Sequence, residues 1–353
     1  MQSIRLLAAA AALAGLTSAQ TSARYITPRG AEFFEGNSAS DIMLGNWNPN
    51  TRTQQIDNNL VGTGFPLIRL IGWRRNGTGG VGAAKSTDVT VIMSHADYNT
   101  VTNTFANNYK DPPVTVFTRK TVNLPDWNTA TTLVPAPFDV VLPLDVPFLY
   151  NNTDALLFDV LNENNPLGIY TQDWVSSTTH QYGAYPVDTG AGCTTANGSF
   201  VHRCAIRANA TTLDVGFRIE GAPSSSALLV MIGASDPNLP VPGLCAPLHA
   251  LPTLFLSLGA ASATGAMNTT FPISTPWSTS YVGVTLFTQA LATDLSQPVY
   301  PVVVSNGLSS AAPTGNATGT VNINIKRIYH TSSTTAVTGT GPAVSAVPTL
   351  FAY

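Results

Sequence analysis

Along most of this chain apolar side chains recur at every second position, the period of a strand that buries one face and wets the other. The stretch 137–165, PFDVVLPLDVPFLYNNTDALLFDVLNENN, shows that period twice. Phe138, Val140, Leu142 and Leu144 precede a polar break at Tyr150-Asn151-Asn152; Leu156, Phe158 and Val160 follow it, with Asp159 on the opposite face. Two strands paired as a ribbon about that link are the unit predicted here. TLDVGFRIEG alternates most cleanly, placing Leu213, Val215, Phe217 and Ile219 inward and Asp214, Arg218 and Glu220 outward. Upstream, TRTQQI, PLIRLIGWRR (Ile68 and Leu70 against Arg69), TDVTVIM (Val89, Val91 and Met93) and VTVFTRK around Val116 read as further strands between Gly-, Pro- and Asn-rich turns.

These elements predict an all-β protein, an antiparallel, jelly-roll-like β-sandwich followed by a second, smaller β-sandwich module. Charged residues make up 10% of the 353, well below the usual quarter or so, while 28 Gly and 25 Pro suit many turns. No Lys or Arg lies between Arg218 and Lys326, and residues 221–310 carry only Asp236 and Asp294 as formal charges. That shift marks a boundary. The expected organisation is a signal peptide at 1–19, a sandwich domain at 20–221 and an end-strand and linker region at 222–236. A smaller β module at 237–310 follows, built on LPTLFLSLG, YVGVTLFTQ and VYPVVVSNG. The Thr/Ser/Gly-rich tail at 311–353 holds one strand, VNINIK, and then reads as flexible linker or loosely docked strand.

The amino terminus points to export. Arg5 supplies a positive n-region, residues 6–16 an alanine-rich apolar run, and Thr17-Ser18-Ala19 a small-residue processing site before Gln20. That run is shorter than the roughly 20 residues that span a bilayer, and no later segment is continuously apolar for that length. A secreted, soluble protein without a membrane span is expected. A net charge of -3 and a pI near 5.9 give no basic footprint for nucleic acid.

Taken together, EGNSAS, TRTQQID, GWRRNG, VTVFTRK and PFLYNNTDALLFDV resemble a group of uncharacterised exported β-sandwich proteins of planctomycete-type bacteria, which share a PF-x-Y…LL-x-DV hairpin. LFLSLGA, GVTLFTQ and SNGL are similar to a C-terminal L-x-LGA…SNGL module of the same group. The resemblance implies a fold and a bacterial, exported setting; it brings no catalytic residue with it.

Motifs that carry a mechanism are sparse. No G-x-S-x-G elbow or H-E-x-x-H pair occurs, GTGGVG lacks the Lys-Ser/Thr of a phosphate loop, and Ser94, His95 and Asp97 are too close along a strand to form a relay. Asp159 and Glu163 are the candidate catalytic pair, because glycoside hydrolysis needs two carboxyl groups about one bond. Asp154, Asp159 and Glu163 are candidate calcium ligands. Trp174, Tyr170, Tyr182, Trp127 and Trp47 are candidate ligand-binding aromatics, since sugars stack on exposed rings. Cys193 and Cys204, flanking the Asn197-Gly198 turn signal, are the expected disulfide, with Cys245 as the competing partner. The expected function is a secreted, non-catalytic binding or structural protein of the cell exterior, its partner an extracellular glycan or surface protein. The alternatives are a carbohydrate-binding module-like protein and a secreted hydrolase acting on a glycoside or ester.

Overall fold

The computed structural model describes residues 24–353 apart from 46, 78–81, 130 and 132. The signal peptide expected at 1–19 lies outside the described residues. As the alternation requires, the protein is all-β, with antiparallel sheets and three short 3₁₀ turns among the described residues.

Two sandwiches divide the sheets. In the first, six strands run in the order Thr340–Val344, Ile325–His330, Thr51–Asp57, Ala155–Glu163, Lys85–Ala96 and Val114–Leu124. They face a four-stranded sheet of Arg24–Thr27, Thr349–Ala352, Leu67–Arg74 and Phe138–Leu149. Between them lie Val89, Val91, Met93, Leu156, Phe158 and Val160 from one sheet and Ile71, Trp73, Phe148 and Phe351 from the other. Each large side chain enclosed there contributes about 1.5–3 kcal/mol of transfer free energy. The second sandwich opposes Gln181–Tyr182, Val201–Ala208, Thr212–Glu220 and Met267–Pro276 to a five-stranded sheet. That sheet runs Val187–Gly190, Val302–Ala311, Thr285–Thr293, Ala227–Gly233 and Pro252–Ala260. Its core centres on Phe200, Phe217, Ile219, Val230 and Val304.

The division departs from the linear order expected. Thr212–Glu220, placed by the sequence at the end of the first domain, is a central strand of the second sandwich. The second core draws on residues 193–312 and is an insertion, because the chain then returns to complete both sheets of the first. Nor is the tail loosely docked. Thr349–Ala352 pairs with Arg24–Thr27 on one side and Leu67–Arg74 on the other, and Val347 and Phe351 enter the first core. VNINIK breaks at Asn324, which adopts a φ of 55°, so that only Ile325–His330 joins the six-stranded sheet.

Phe138–Leu149 and Ala155–Glu163 are not a paired ribbon. They belong to opposite sheets, and the link between them crosses the layer between sheets, a span of about 10 Å. Asn151 Oδ1 accepts the backbone N–H groups of Thr153 and Asp154, and Asn152 takes a φ of 61°, which turns the chain over the edge of the core. A register shift at Ile68/Leu70 likewise re-aims its strand, so that Ile68, Ile71 and Trp73 are the buried set.

The face of Thr212–Glu220 expected to be wet is covered. Asp214 accepts from Arg207 and Ser274, and the Arg218 guanidinium donates to the carbonyl of Pro135 at 3.1 Å. Residues 24–36 run along this seam between the sandwiches. Arg24 pairs with Glu220 at 3.2 Å, Tyr185 donates to the carbonyl of Ile26 at 3.1 Å, and Phe33 meets Phe271 edge-on.

Candidate functional site

The candidate carboxylates are held apart, each by its own cation. Asp159 is enclosed: it pairs with Arg52 at 2.7 Å and accepts from the Tyr109 hydroxyl at 2.6 Å and from Gln54. Glu163, at the end of the same strand, pairs with Arg119 at 3.3 Å. Asp154 pairs with Lys110 at 2.6 Å, and that hydrogen-bonded ammonium holds its carboxyl below the usual range. These three do not converge as calcium ligands, and among the described residues no group of three His, Cys, Asp or Glu side chains does. A glycosidase pair needs one carboxyl without a fixed counter-charge, free to hold a proton near neutrality. Asp159 and Glu163 each have a fixed counter-charge, Arg52 and Arg119.

Most of the candidate aromatics are core. Trp127 stacks on Tyr170 with centroids 3.9 Å apart; its indole N–H donates to Asp139, and the Tyr170 hydroxyl donates to the carbonyl of Pro125. Lys85 closes over the Tyr170 ring at 5.3 Å, and its partial burial brings the amine down to about 8. Tyr182 is buried against Gly30 and Phe34. Trp174 is half-buried beside the Arg327 guanidinium, and only Trp47, 63% exposed, presents its ring. They form no shared sugar platform. In the sequence they share with a binding face the features of lying in loops beside Asn and Asp, and nothing local distinguishes the two cases.

The expected Cys193–Cys204 bridge is replaced by Cys193–Cys245. Thr195 pairs with Gly198 and Thr194 with Ser199, which brings Cys193 opposite Phe200 and leaves Cys204 further along the next strand. Cys204 is an enclosed thiol, pushed up by burial to about 11. Nearby, His202 lies between Ser305 and Thr288, both 2.9 Å from its ring nitrogens. Residue types here suggest a nucleophile and its base, but all three side chains are sealed in the sandwich and burial drives His202 down to about 3. A base of that strength takes no proton near neutrality.

What the sequence reading missed is an edge. Pro252–Ala260 ends the five-stranded sheet, so among the described residues no strand pairs with its outer side. Its residues TLFLSL carry no charge. Phe255 is 57% and Leu254 47% exposed, Leu229 of the adjacent strand is also exposed, and Leu256 and Leu258 are only partly covered as they enter the second core. Met267–Pro276, the corresponding edge of the facing sheet, is interrupted by Pro272, whereas residues 253–258 contain no proline. Sheets usually guard such an edge with Lys, Pro, a β-bulge or a covering loop; here register shifts stand at both ends of the strand, and residues 254–257 between them pair in continuous register with their one neighbour. The signal was present in the sequence as the absence of Lys and Arg between residues 218 and 326.

Compared with protein-family models, with curated proteins and with solved structures, the chain matches none of them. Among the described residues no helix is long and apolar enough to cross a membrane.

Proposed function

We propose that this protein is exported and acts at the cell exterior by non-catalytic binding and assembly, joining a second copy of itself through the strand Pro252–Ala260. The observation that carries the reading is the uncharged, apolar, unpaired edge with a partly open core behind it. A disulfide and the leader-like start of the sequence support the exterior setting.

A second copy is the occupant best suited to this edge. With no Lys, Arg, Asp or Glu on residues 251–260, two copies meet without repulsion or stranded charge. An antiparallel pairing about a two-fold axis at Leu256 sets Leu254 opposite Leu258 of the other copy on the core side, and Phe255 opposite Ser257 on the outer side. Both five-stranded sheets then become one, and the half-covered leucines are sealed.

The test is the oligomeric state of the purified chain by light scattering over a concentration series. Dimer or larger species are expected for the wild type and monomer for Phe255→Lys, while Leu256→Cys is expected to cross-link the dimer under mild oxidation. A wild type that stays monomeric at the highest concentration reached, or a Phe255→Lys variant that associates equally well, overturns the reading.

A further inference from the structure

Six tripeptides of the form Asn-x-Ser/Thr, none with proline in the middle, begin at Asn76, Asn151, Asn197, Asn209, Asn268 and Asn316. That pattern is the acceptor for an N-linked glycan, provided it lies on the surface of an exported chain. The asparagines of this protein sort accordingly. Asn108, Asn162, Asn165 and Asn306 are buried and open no such tripeptide, whereas none of the six acceptors is buried.

Four of the six fall in or beside the stretch poorest in charge. Asn197, Asn209 and Asn268 belong to the second sandwich and Asn316 follows it, while residues 221–310 carry only Asp236 and Asp294 as formal charges. A surface short of charge is poorly hydrated, and a glycan is bulky and solubilising.

The amide hydrogens discriminate among the acceptors. An asparagine side chain has two N–H hydrogens, and a glycan replaces one of them. Asn209, at the tip of the hairpin between Val201–Ala208 and Thr212–Glu220, is held by its oxygen alone. Its Oδ1 accepts the backbone N–H groups of Thr211 and Thr212, both at 2.9 Å, and the Thr211 hydroxyl at 3.2 Å. Among the described residues its Nδ2 donates to nothing, so neither hydrogen is committed. Asn151 Oδ1 accepts from Thr153 and Asp154 in the same way, and its Nδ2 commits one hydrogen, to Asp154 Oδ2 at 2.9 Å. Asn197 commits both, to the carbonyl of Ala222 at 2.7 Å and the Ser224 hydroxyl at 3.2 Å, so a glycan there breaks a bond of the fold. Asn316 donates to the carbonyl of Ala210, inside the Asn209 tripeptide, and competes with Asn209 for the same surface. Asn268 accepts the Val134 N–H across the seam, close to the first sandwich.

We propose that Asn151 and Asn209 carry N-linked glycans, one on each sandwich. Nδ2 attacks the anomeric carbon of an oligosaccharide carried on a lipid diphosphate. The C–N bond forms as the bond from that carbon to the phosphate oxygen breaks, the lipid diphosphate leaves, and one amide proton passes to a base of the transferase. The hydrogen that remains on Asn151 Nδ2 still serves Asp154. Such a transferase belongs to a eukaryotic-type secretory route, which then takes the place of the bacterial setting implied by the resemblance. The assignment rests on the export reading and not on the assembly edge, since residues 252–260 hold no asparagine.

The test is peptide mass spectrometry of the full chain recovered from the medium of its source cells. Peptide N-glycosidase in heavy-oxygen water turns each glycan-bearing asparagine into a labelled aspartate. Label is expected at Asn151 and Asn209 and not at Asn197. Made in the same cells, Thr153→Ala and Thr211→Ala are each expected to lose one step of the glycan-dependent shift in gel mobility, and Thr211→Ser to keep it. Bare Asn151 or bare Asn209 in the exported chain, or label at Asn197 equal to theirs, overturns the proposal. A chain confined to the cytosol overturns the export reading along with it, so the two failures are told apart by where the protein is found. Should a variant fail to fold, the label on the wild type decides alone.

Discussion

Arg52 and Asp159 form an ion pair at 2.7 Å across neighbouring strands of the six-stranded sheet, with the carboxylate wholly enclosed. Tyr109 and Gln54 complete its hydrogen bonds. Removing one member of such a pair leaves the other uncompensated, which costs about 3–5 kcal/mol. Asp159→Asn is therefore expected to lower the urea midpoint by an amount equivalent to about 3 kcal/mol. Unchanged stability would show that the pair does not hold the sheet.

His202 makes stability pH-dependent in a definite window. Its folded-state pKa of about 3 lies below the ordinary 6.5 because burial penalises the charged ring. Between those values the unfolded chain carries a proton that the folded chain lacks, so stability falls as pH falls, by about 1.4 kcal/mol per unit at most. Above about 6.5 the effect vanishes. Urea midpoints measured at pH 7 and pH 5 are expected to differ more for the wild type than for His202→Gln.

The disulfide Cys193–Cys245 closes a loop with a sequence separation of 52, for which chain entropy gives about 4 kcal/mol of stabilisation. Cys245→Ser is expected to lose most of that in chemical denaturation. Cys204, enclosed and with its thiol pushed up to about 11, is expected to resist iodoacetamide in the folded protein and to react once the chain is unfolded. Intact mass before and after denaturant reads both states.

Trp127, stacked on Tyr170 and bonded to Asp139, is packing and not a ligand platform. Trp127→Ala is expected to destabilise the protein by about 3–5 kcal/mol, the range for emptying a large aromatic site. Near-UV circular dichroism should lose the signal of the stacked pair at the same time. A variant of wild-type stability would return this ring to the list of exposed contacts.

Strand identity was legible because a buried face imposes period two whatever it packs against. Val89, Val91 and Met93 are buried as their alternation requires. What it packs against was not legible: Leu142 and Phe158 enter the same core from opposite sheets, although their spacing along the chain suits a hairpin equally well. Asp214 and Arg218 look solvated because partners such as Ser274 and Pro135 lie 60 and 83 residues away. The seam escaped for the same reason, since Arg24 and Glu220 meet only through the insertion of one sandwich within the other. Glu163 and Asp159 share a strand, as expected, but the cations that occupy them come from Arg119 and Arg52.

The placement of Ile325–His330 and Thr349–Ala352 has a consequence for how the molecule is made. Both sheets opened by residues 24–57 are closed by residues beyond 324, so a chain delivered amino end first holds an unfinished clasp while the intervening sandwich is still emerging. That inner unit depends on one continuous stretch and can mature early, whereas the outer one waits. Loss of residues 342–353 thus deprives Arg24–Thr27 and Leu67–Arg74, made long before them, of the strand that joins the two.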